Sequence, residues 1–187
     1  MKKEEPLSVL DNSQNFQKIP EKIEDINLFK LLLTPLELYV LKFFIAELRP
    51  LNVREVYRLS LFFIFNFVFN PEYEHTFASR VFLIKELVNA GYGEQALDYK
   101  TKNKVMKEVF AQKEVLSETE LTDLYYQKLK EHKTKIPSYD KFQYIFSRFE
   151  RMGILHLKKG EGRIIYYVLN LKFYSSIKDR IQEIKKL

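Results

Sequence analysis

Residues 138–170 read SYDKFQYIFSRFERMGILHLKKGEGRIIYYVLN, and the hydrophobic period changes partway along. Phe142, Ile145, Phe146, Phe149 and Met152 keep the i, i+3, i+4, i+7 spacing of one helix face. Ser138 is an N-cap residue whose hydroxyl can accept from an amide of the first turn. Gly153 falls just past the last turn, where a left-handed residue closes a helix at little steric cost. Beyond it the apolar residues crowd into two short runs, 154–157 and 164–169. The six residues between the runs, KKGEGR, have the composition of a β-hairpin tip.

Helix, glycine stop and basic hairpin in this order resemble the second half of a winged helix-turn-helix, over about residues 101–170. The resemblance implies that the helix over 138–152 enters a DNA major groove and that the hairpin over 154–169 is a wing on the backbone or minor groove. Upstream, the pattern Leu121-x-x-Leu124-Tyr125-Tyr126 and the run R-M-G-I-L over 151–155 are similar to the winged helix of archaeal origin-recognition initiators. A phosphate-binding G-x-x-x-x-G-K-[ST] is absent from the chain, so the ATPase module of those initiators is not expected.

The chain has 187 residues, enough for one large or two small domains, and is 46% hydrophobic and 15% aromatic, ample for a core of its own. It has no cysteine, which excludes disulfides and thiolate metal sites or nucleophiles. No apolar run reaches the ~18 residues that a membrane-spanning helix needs. Residues 1–5 are charged and lead into no apolar core, so no signal peptide is expected. The expected location is cytoplasmic and nucleoid-associated.

Net charge is +6, unevenly spread. Residues 1–96 hold 11 Lys/Arg against 13 Asp/Glu, a balance of −2, whereas residues 97–187 hold 20 against 12, a balance of +8. The positive field therefore belongs to the half with the wing pattern, and it favours a polyanionic partner.

Residues 1–27 are polar, proline-interrupted and without sustained period, and are expected to be a flexible tail. Residues 28–96 are expected to form a helical packing or dimerisation domain, a degenerate relative of a helix-turn-helix. Thr34-Pro35-Leu36-Glu37 carries a cap, a proline at the first helical position and the glutamate of a capping box. Asn52 and Glu55 repeat the signature ahead of residues 59–69, in which only Ser60 and Asn66 are polar. A helix this apolar must be buried all round, in a core or against a second subunit. A third helix is expected over 76–90, with Phe77, Val81, Ile84 and Val88 inward and Gly91 as its stop. The winged-helix domain is expected over 97–170. Its first helix spans 103–113 with Val105, Met106, Val109 and Phe110 as one stripe. A capping box at Ser117 and Glu120 starts its second, with Leu121, Leu124, Tyr125 and Leu129 inward. Residues 171–187 form a last helix whose Tyr174, Ile177, Ile181 and Ile184 make a seam for its own domain or a second copy. The fold class expected is mainly α with a small β-hairpin wing.

On the 138–152 helix, Tyr139, Gln143, Tyr144, Ser147, Arg148 and Arg151 lie off the apolar face and have the side-chain types of major-groove readout. Lys133 and Lys135 precede it, and Lys158, Lys159 and Arg163 bracket the hairpin glycines, so that cations stand before, on and after one helix. His75, His132 and His156 are far apart, with no metal-ligand spacing, and no catalytic motif is present. The chain is therefore expected to be a non-enzymatic, homodimeric, sequence-specific double-stranded DNA-binding protein without metal or cofactor, a transcriptional regulator or a plasmid- or virus-type replication factor. The alternatives are a tandem winged-helix scaffold contacting protein through its N-terminal domain, and single-strand binding by stacking on Tyr126, Tyr166 and Tyr167.

Overall fold

The first helix begins where Thr34 and Glu37 close on each other: Glu37 Oε2 accepts from the Thr34 amide at 2.7 Å and the Thr34 hydroxyl receives the Glu37 amide at 3.4 Å. This capping box, with Pro35 at the first position, starts α1 (Pro35–Glu47). The computed structural model describes residues 33–160, 162 and 164–177; the tail over 1–27, Arg163, Ile181 and Ile184 lie outside them. Asn52 Oδ1 takes the Glu55 amide at 2.8 Å and starts α2 (Val53–Phe69), the longest helix among the described residues. There follow α3 (Tyr73–Thr76), α4 (Val81–Asn89), α5 (Tyr99–Gln112), α6 (Glu118–Glu131) and α7 (Tyr139–Arg151). The strands β1 (Leu155–Lys159) and β2 (Ile165–Leu169) and the helix α8 (Leu171–Ile177) complete the described chain, which is mainly helical with one antiparallel hairpin.

The apolar run of α2 is core. Leu61, Phe63, Ile64, Phe65, Val68 and Phe69 are buried, and α4, α5, α6 and α7 all pack against this helix. Its two polar residues are satisfied without solvent: Asn66 donates to the Phe62 carbonyl at 2.9 Å, and Ser60 donates to the Val56 carbonyl at 2.7 Å. Because Ser60 has one proton, the 2.8 Å contact with the Tyr39 hydroxyl must be donated by Tyr39. The buried side chains form one contiguous cluster from Leu36 to Phe173. The boundary expected near residue 96 falls between α4 and α5, and α2 packs on helices from both sides of it.

Four expectations are corrected. The single helix over 76–90 is instead α3, a turn, and α4. At the turn the Phe77 ring meets Phe62 edge-on at 5.4 Å and Phe63 at 6.5 Å, so core packing overrides helical periodicity there. Next, α5 starts at Tyr99 rather than 103, because Asp98 caps it by accepting the Lys100 and Thr101 amides at 2.9 and 3.0 Å. Those bonds and the Thr101 hydroxyl hold the Asp98 carboxyl below its usual range. Phe110, placed in the inward stripe of that helix, is exposed. Finally, Ser138 occupies the N-cap of α7, but its side chain makes no capping bond.

Phe142, Ile145, Phe146 and Phe149 of α7 are buried, each worth ~1.5–3 kcal/mol in water-excluded area. The helices that cover them come from the first half of the chain. Tyr39 and Phe44 of α1 meet Phe142 and Phe146, and Tyr57 of α2 meets Phe142 at 5.7 Å. By contrast, α6 packs chiefly on α2 and α5. The turn out of α7 closes as expected: Gly153 has φ +70° and Ile154 donates to the Phe149 carbonyl at 2.9 Å. Asn170 then ties the hairpin base to this turn, donating to the Gly153 carbonyl at 2.7 Å and accepting from the Lys172 amide at 2.9 Å to start α8. Leu51, between α1 and α2, bonds both ways to Tyr167, at 3.0 and 2.8 Å, and so extends the hairpin by one bridge on the β2 side.

A buried ion pair joins α1 to α4: Lys42 Nζ lies 2.6 Å from Glu86, with both side chains almost fully enclosed. Lys42→Met alone strands the Glu86 carboxylate and is expected to cost about 3–5 kcal/mol, whereas Lys42→Met with Glu86→Leu recovers most of that loss. Urea denaturation of the three proteins checks it. Burial pushes the Tyr39 phenol well above its ordinary 10.0. The unfolded chain ionises this group near pH 10.0 while the folded one keeps it neutral, so the stability it contributes is present below pH 10.0 and lost as pH rises beyond it. Tyr39→Phe is therefore expected to lose less stability than the wild type across that alkaline range, measured by denaturation at fixed ionic strength.

Candidate nucleic-acid interface

The outer face of α7 follows directly from its inner one. With the aromatic stripe buried, the 100° step between residues turns Asp140, Lys141, Gln143, Tyr144, Ser147 and Arg151 to solvent. Tyr144 is 60% exposed, which is high for a ring that has a buried aromatic stripe available on the same helix. Arg151 Nε reaches back to the Ser147 carbonyl at 3.4 Å, a long contact that leaves most of its guanidinium to solvent.

Two residues assigned to this face are turned elsewhere. Arg148 is half-buried and its guanidinium forms an ion pair with Glu37 of α1, whose carboxylate is 2% exposed. The same carboxylate closes the capping box, so Glu37 ties the start of α1 to the last turn of α7. Tyr139 is half-buried, edge-on to Tyr57 at 5.5 Å. The sequence carries no signal separating Arg148 from Arg151, since the partner lies 111 residues away.

The linker into α7 is held by the loop after α4. The Gly93 amide donates to the Lys135 carbonyl at 3.1 Å, and the Thr134 hydroxyl donates to Gln95 at 3.1 Å. Lys133 is exposed with φ +56°, a left-handed conformation in a non-glycine residue. Lys135 and Lys141 are exposed, with their ammonium groups 5.8 and 5.9 Å from the centroid of the buried Tyr92 ring. Lys141 also donates to the Tyr92 hydroxyl at 3.4 Å. Tyr92 and Lys141 were missed by sequence reasoning. Lys141 was legible, since it stands in the first turn of α7 off the apolar stripe; its juxtaposition with Lys135 across Tyr92 was not.

In the hairpin, Leu155 pairs with Leu169, Leu157 with Tyr167 and Lys159 with Ile165 on one face, and His156 with Val168 and Lys158 with Tyr166 on the other. Tyr167 packs edge-on against Phe146 of α7 at 5.0 Å, so Lys159 stands on the face turned to α7 and Lys158 on the opposite one. Burial raises the Tyr167 phenol, helped by the Glu150 charge. At the tip, a Cβ on Gly160 would lie 2.4 Å from the Tyr166 ring, so that ring packs against bare backbone. Of the three tyrosines weighed for stacking, Tyr166 and Tyr167 are thus packed within the hairpin region, and Tyr126 stands on α6 with Lys130 Nζ 4.9 Å over its ring.

No family model, curated protein or solved structure matches this chain. Among the described residues no helix is long and apolar enough to cross a membrane.

Removing Arg148 leaves Glu37 buried beside its capping donors alone. Arg148→Ala is therefore expected to lower stability by about 2–4 kcal/mol, whereas Arg151→Ala, three residues on, stays within about 0.5 kcal/mol. Urea denaturation of the two variants side by side checks the contrast.

Proposed function

We propose that this chain binds double-stranded DNA, with α7 in the major groove and the hairpin on the adjacent backbone or minor groove. The observation that carries it is the division of α7 into a wholly buried aromatic face and a polar outer face. Exposed Lys133 and Lys135 precede that helix, Lys141 and Arg151 stand on it, and Lys158 and Lys159 follow it. These cations suit phosphate oxygens, while Gln143, Ser147 and Arg151 have the donor and acceptor types that base edges require. Arg148, committed to Glu37, is left out of the contact set.

The arrangement we propose is a winged helix assembled from both halves of the chain. In it α1, the Leu51 bridge, α2, α7 and the β1–β2 hairpin stand in order, with α3 to α6 inserted between its second and third helices. The Leu51–Tyr167 bonds and the seating of α7 on α1 and α2 support this over a unit confined to 101–170. A homodimer would set two copies of α7 about one duplex turn apart, ~34–36 Å, on a pseudo-palindromic site. A regulator of transcription or a replication factor is the role such a protein fills.

One observation favours a second reading, a protein-interaction scaffold: Leu157, Ile164, Ile165 and Leu171 are all half or more exposed around the hairpin. Fluorescence anisotropy of a random duplex across a salt series separates the two. About four to six phosphate contacts give a log–log slope of roughly −4 to −5. Lys158→Glu with Lys159→Glu should flatten that slope by about 2 and weaken binding at every sequence alike. No duplex binding at low salt overturns the DNA reading.

A further inference from the structure

The N-terminal turns of α2 and α7 and the middle of α6 enclose an open cleft of about 350 Å³, lined in part by Arg54, Tyr57, Arg58, Asp123, Tyr126 and Tyr139. Its volume is at the lower end of the ~300–1,000 Å³ range of small-ligand sites. Three phenol rings from three helices share it with two guanidinium groups and one carboxylate.

Each group has a defined state. Tyr57 and Tyr139 meet edge to face, at 5.5 Å and 76°, and Tyr57 is braced from behind by Phe142 at 5.7 Å. Rings fixed at right angles cannot collapse onto each other to fill the cleft. Lys130 Nζ lies 4.9 Å over the Tyr126 ring and brings a further cation close to the cleft. Burial raises the Tyr57 phenol, and the neighbouring Tyr126 phenol adds to this, so the Tyr57 ring stays neutral at physiological pH. Arg54 and Arg58 are one helical turn apart on α2, Arg58 being steadied by Thr119 at 3.1 Å and Arg54 exposed. Asp123 lines the same cleft, yet it forms no ion pair with either arginine. Two guanidinium groups, a carboxylate and three aromatic rings around one cleft suit a ligand that carries an anionic group, a flat ring and a hydrogen-bond donor.

We propose that this cleft binds the base and phosphate of a single nucleotide. The base stacks among Tyr57, Tyr126 and Tyr139, which suit any base because every base has a π-face. The phosphate lies against Arg54 and Arg58, whose planar forks suit its oxygens, at the end of α2 where the helix dipole is positive. Asp123 accepts from the exocyclic amine or the N–H edge of the base. Cytosine, adenine and guanine present such an amine. Uracil and thymine present a single N–H between two carbonyl oxygens that repel a carboxylate, so they are disfavoured. The nucleotide can be free or an unpaired residue of a strand, since both offer the same groups. The site stands apart from the duplex reading, because none of its residues is among the hairpin lysines on which that reading is tested.

Isothermal titration calorimetry of the full chain with the monophosphates of cytidine, adenosine, guanosine and uridine, and with inorganic phosphate, tests the site. The three amine-bearing nucleotides should bind at least about five-fold more tightly than uridine monophosphate, and all of them more tightly than phosphate, which lacks the stacking contribution. Arg54→Glu should weaken nucleotide binding about ten-fold or more, by replacing a phosphate donor with a like charge. It should fold normally, because an acidic residue in the first turn of α2 suits the helix dipole. Asp123→Asn should level the preference among bases, and Lys158→Glu with Lys159→Glu should leave nucleotide binding unchanged. A single-stranded oligocytidine that displaces cytidine monophosphate assigns the site to strand nucleotides, and one that does not assigns it to a free nucleotide; either supports the site. Absence of nucleotide binding at millimolar concentration, or affinity unchanged in Arg54→Glu, overturns it, whatever the duplex titration gives.

Discussion

A helix that is apolar on every side has to be covered on every side, and α2 sets that requirement for the whole molecule. Between Leu59 and Phe69 it offers water almost nothing, so α4, α5, α6 and α7 are all drawn against it. Its few polar groups are spent internally, Asn66 on its own backbone and Ser60 between Val56 and Tyr39. No water or outside partner is needed to satisfy them, and the helix can sit in the middle of the fold without an unpaired dipole. The aromatic content of the chain serves the same end: Phe62, Phe65 and Tyr125 interlock across the α2–α6 contact, Tyr57 and Phe142 across that with α7.

Charge then fixes the position of α1 against this assembly. Lys42 pairs with Glu86 in a nearly closed environment, and Glu37 pairs with Arg148 while completing the cap of its own helix. Buried pairs of this kind add little net stability over apolar replacements, because desolvation offsets most of the attraction. They are sensitive to register, however, and a slip of α1 by one residue would break both pairs together. The start of α1, the end of α7 and α4 are thereby locked to one another, and the hairpin follows through Asn170 and the Leu51–Tyr167 bridge.

The surface that results is not uniform. Cations gather before, along and after α7, and the N-terminal turn of the same helix borders a cleft of phenols and guanidinium groups. The cleft depends on the N-terminal turns of α2 and α7 lying side by side, an arrangement held by the contacts of Tyr57 with Tyr139 and Phe142. The positive balance of residues 97–187 is thus joined at this end by Arg54 and Arg58 from the other half of the chain.

Much of this was written locally. Thr34, Asn52 and Ser117 announce their helices because a cap needs only a side-chain oxygen and an amide three residues on. The split faces of α7, the Gly153 stop and the hairpin after it follow from period and from the residue type that takes positive φ at least cost. The break at Phe77 was not legible, since nothing near it in sequence says that Phe62 and Phe63 wait in the core. Arg148 looked like Arg151 because charge type is local, whereas its partner Glu37 is brought to it only by folding. Which helices would cover α7, and that Arg54, Tyr126 and Tyr139 would meet in one cleft, are distances between residues far apart in the chain. Sequence by itself determined the elements and their faces, through interactions that close within a few residues. Tertiary structure decided which faces meet, because only the burial of the whole apolar surface selects among the many ways those elements can pack.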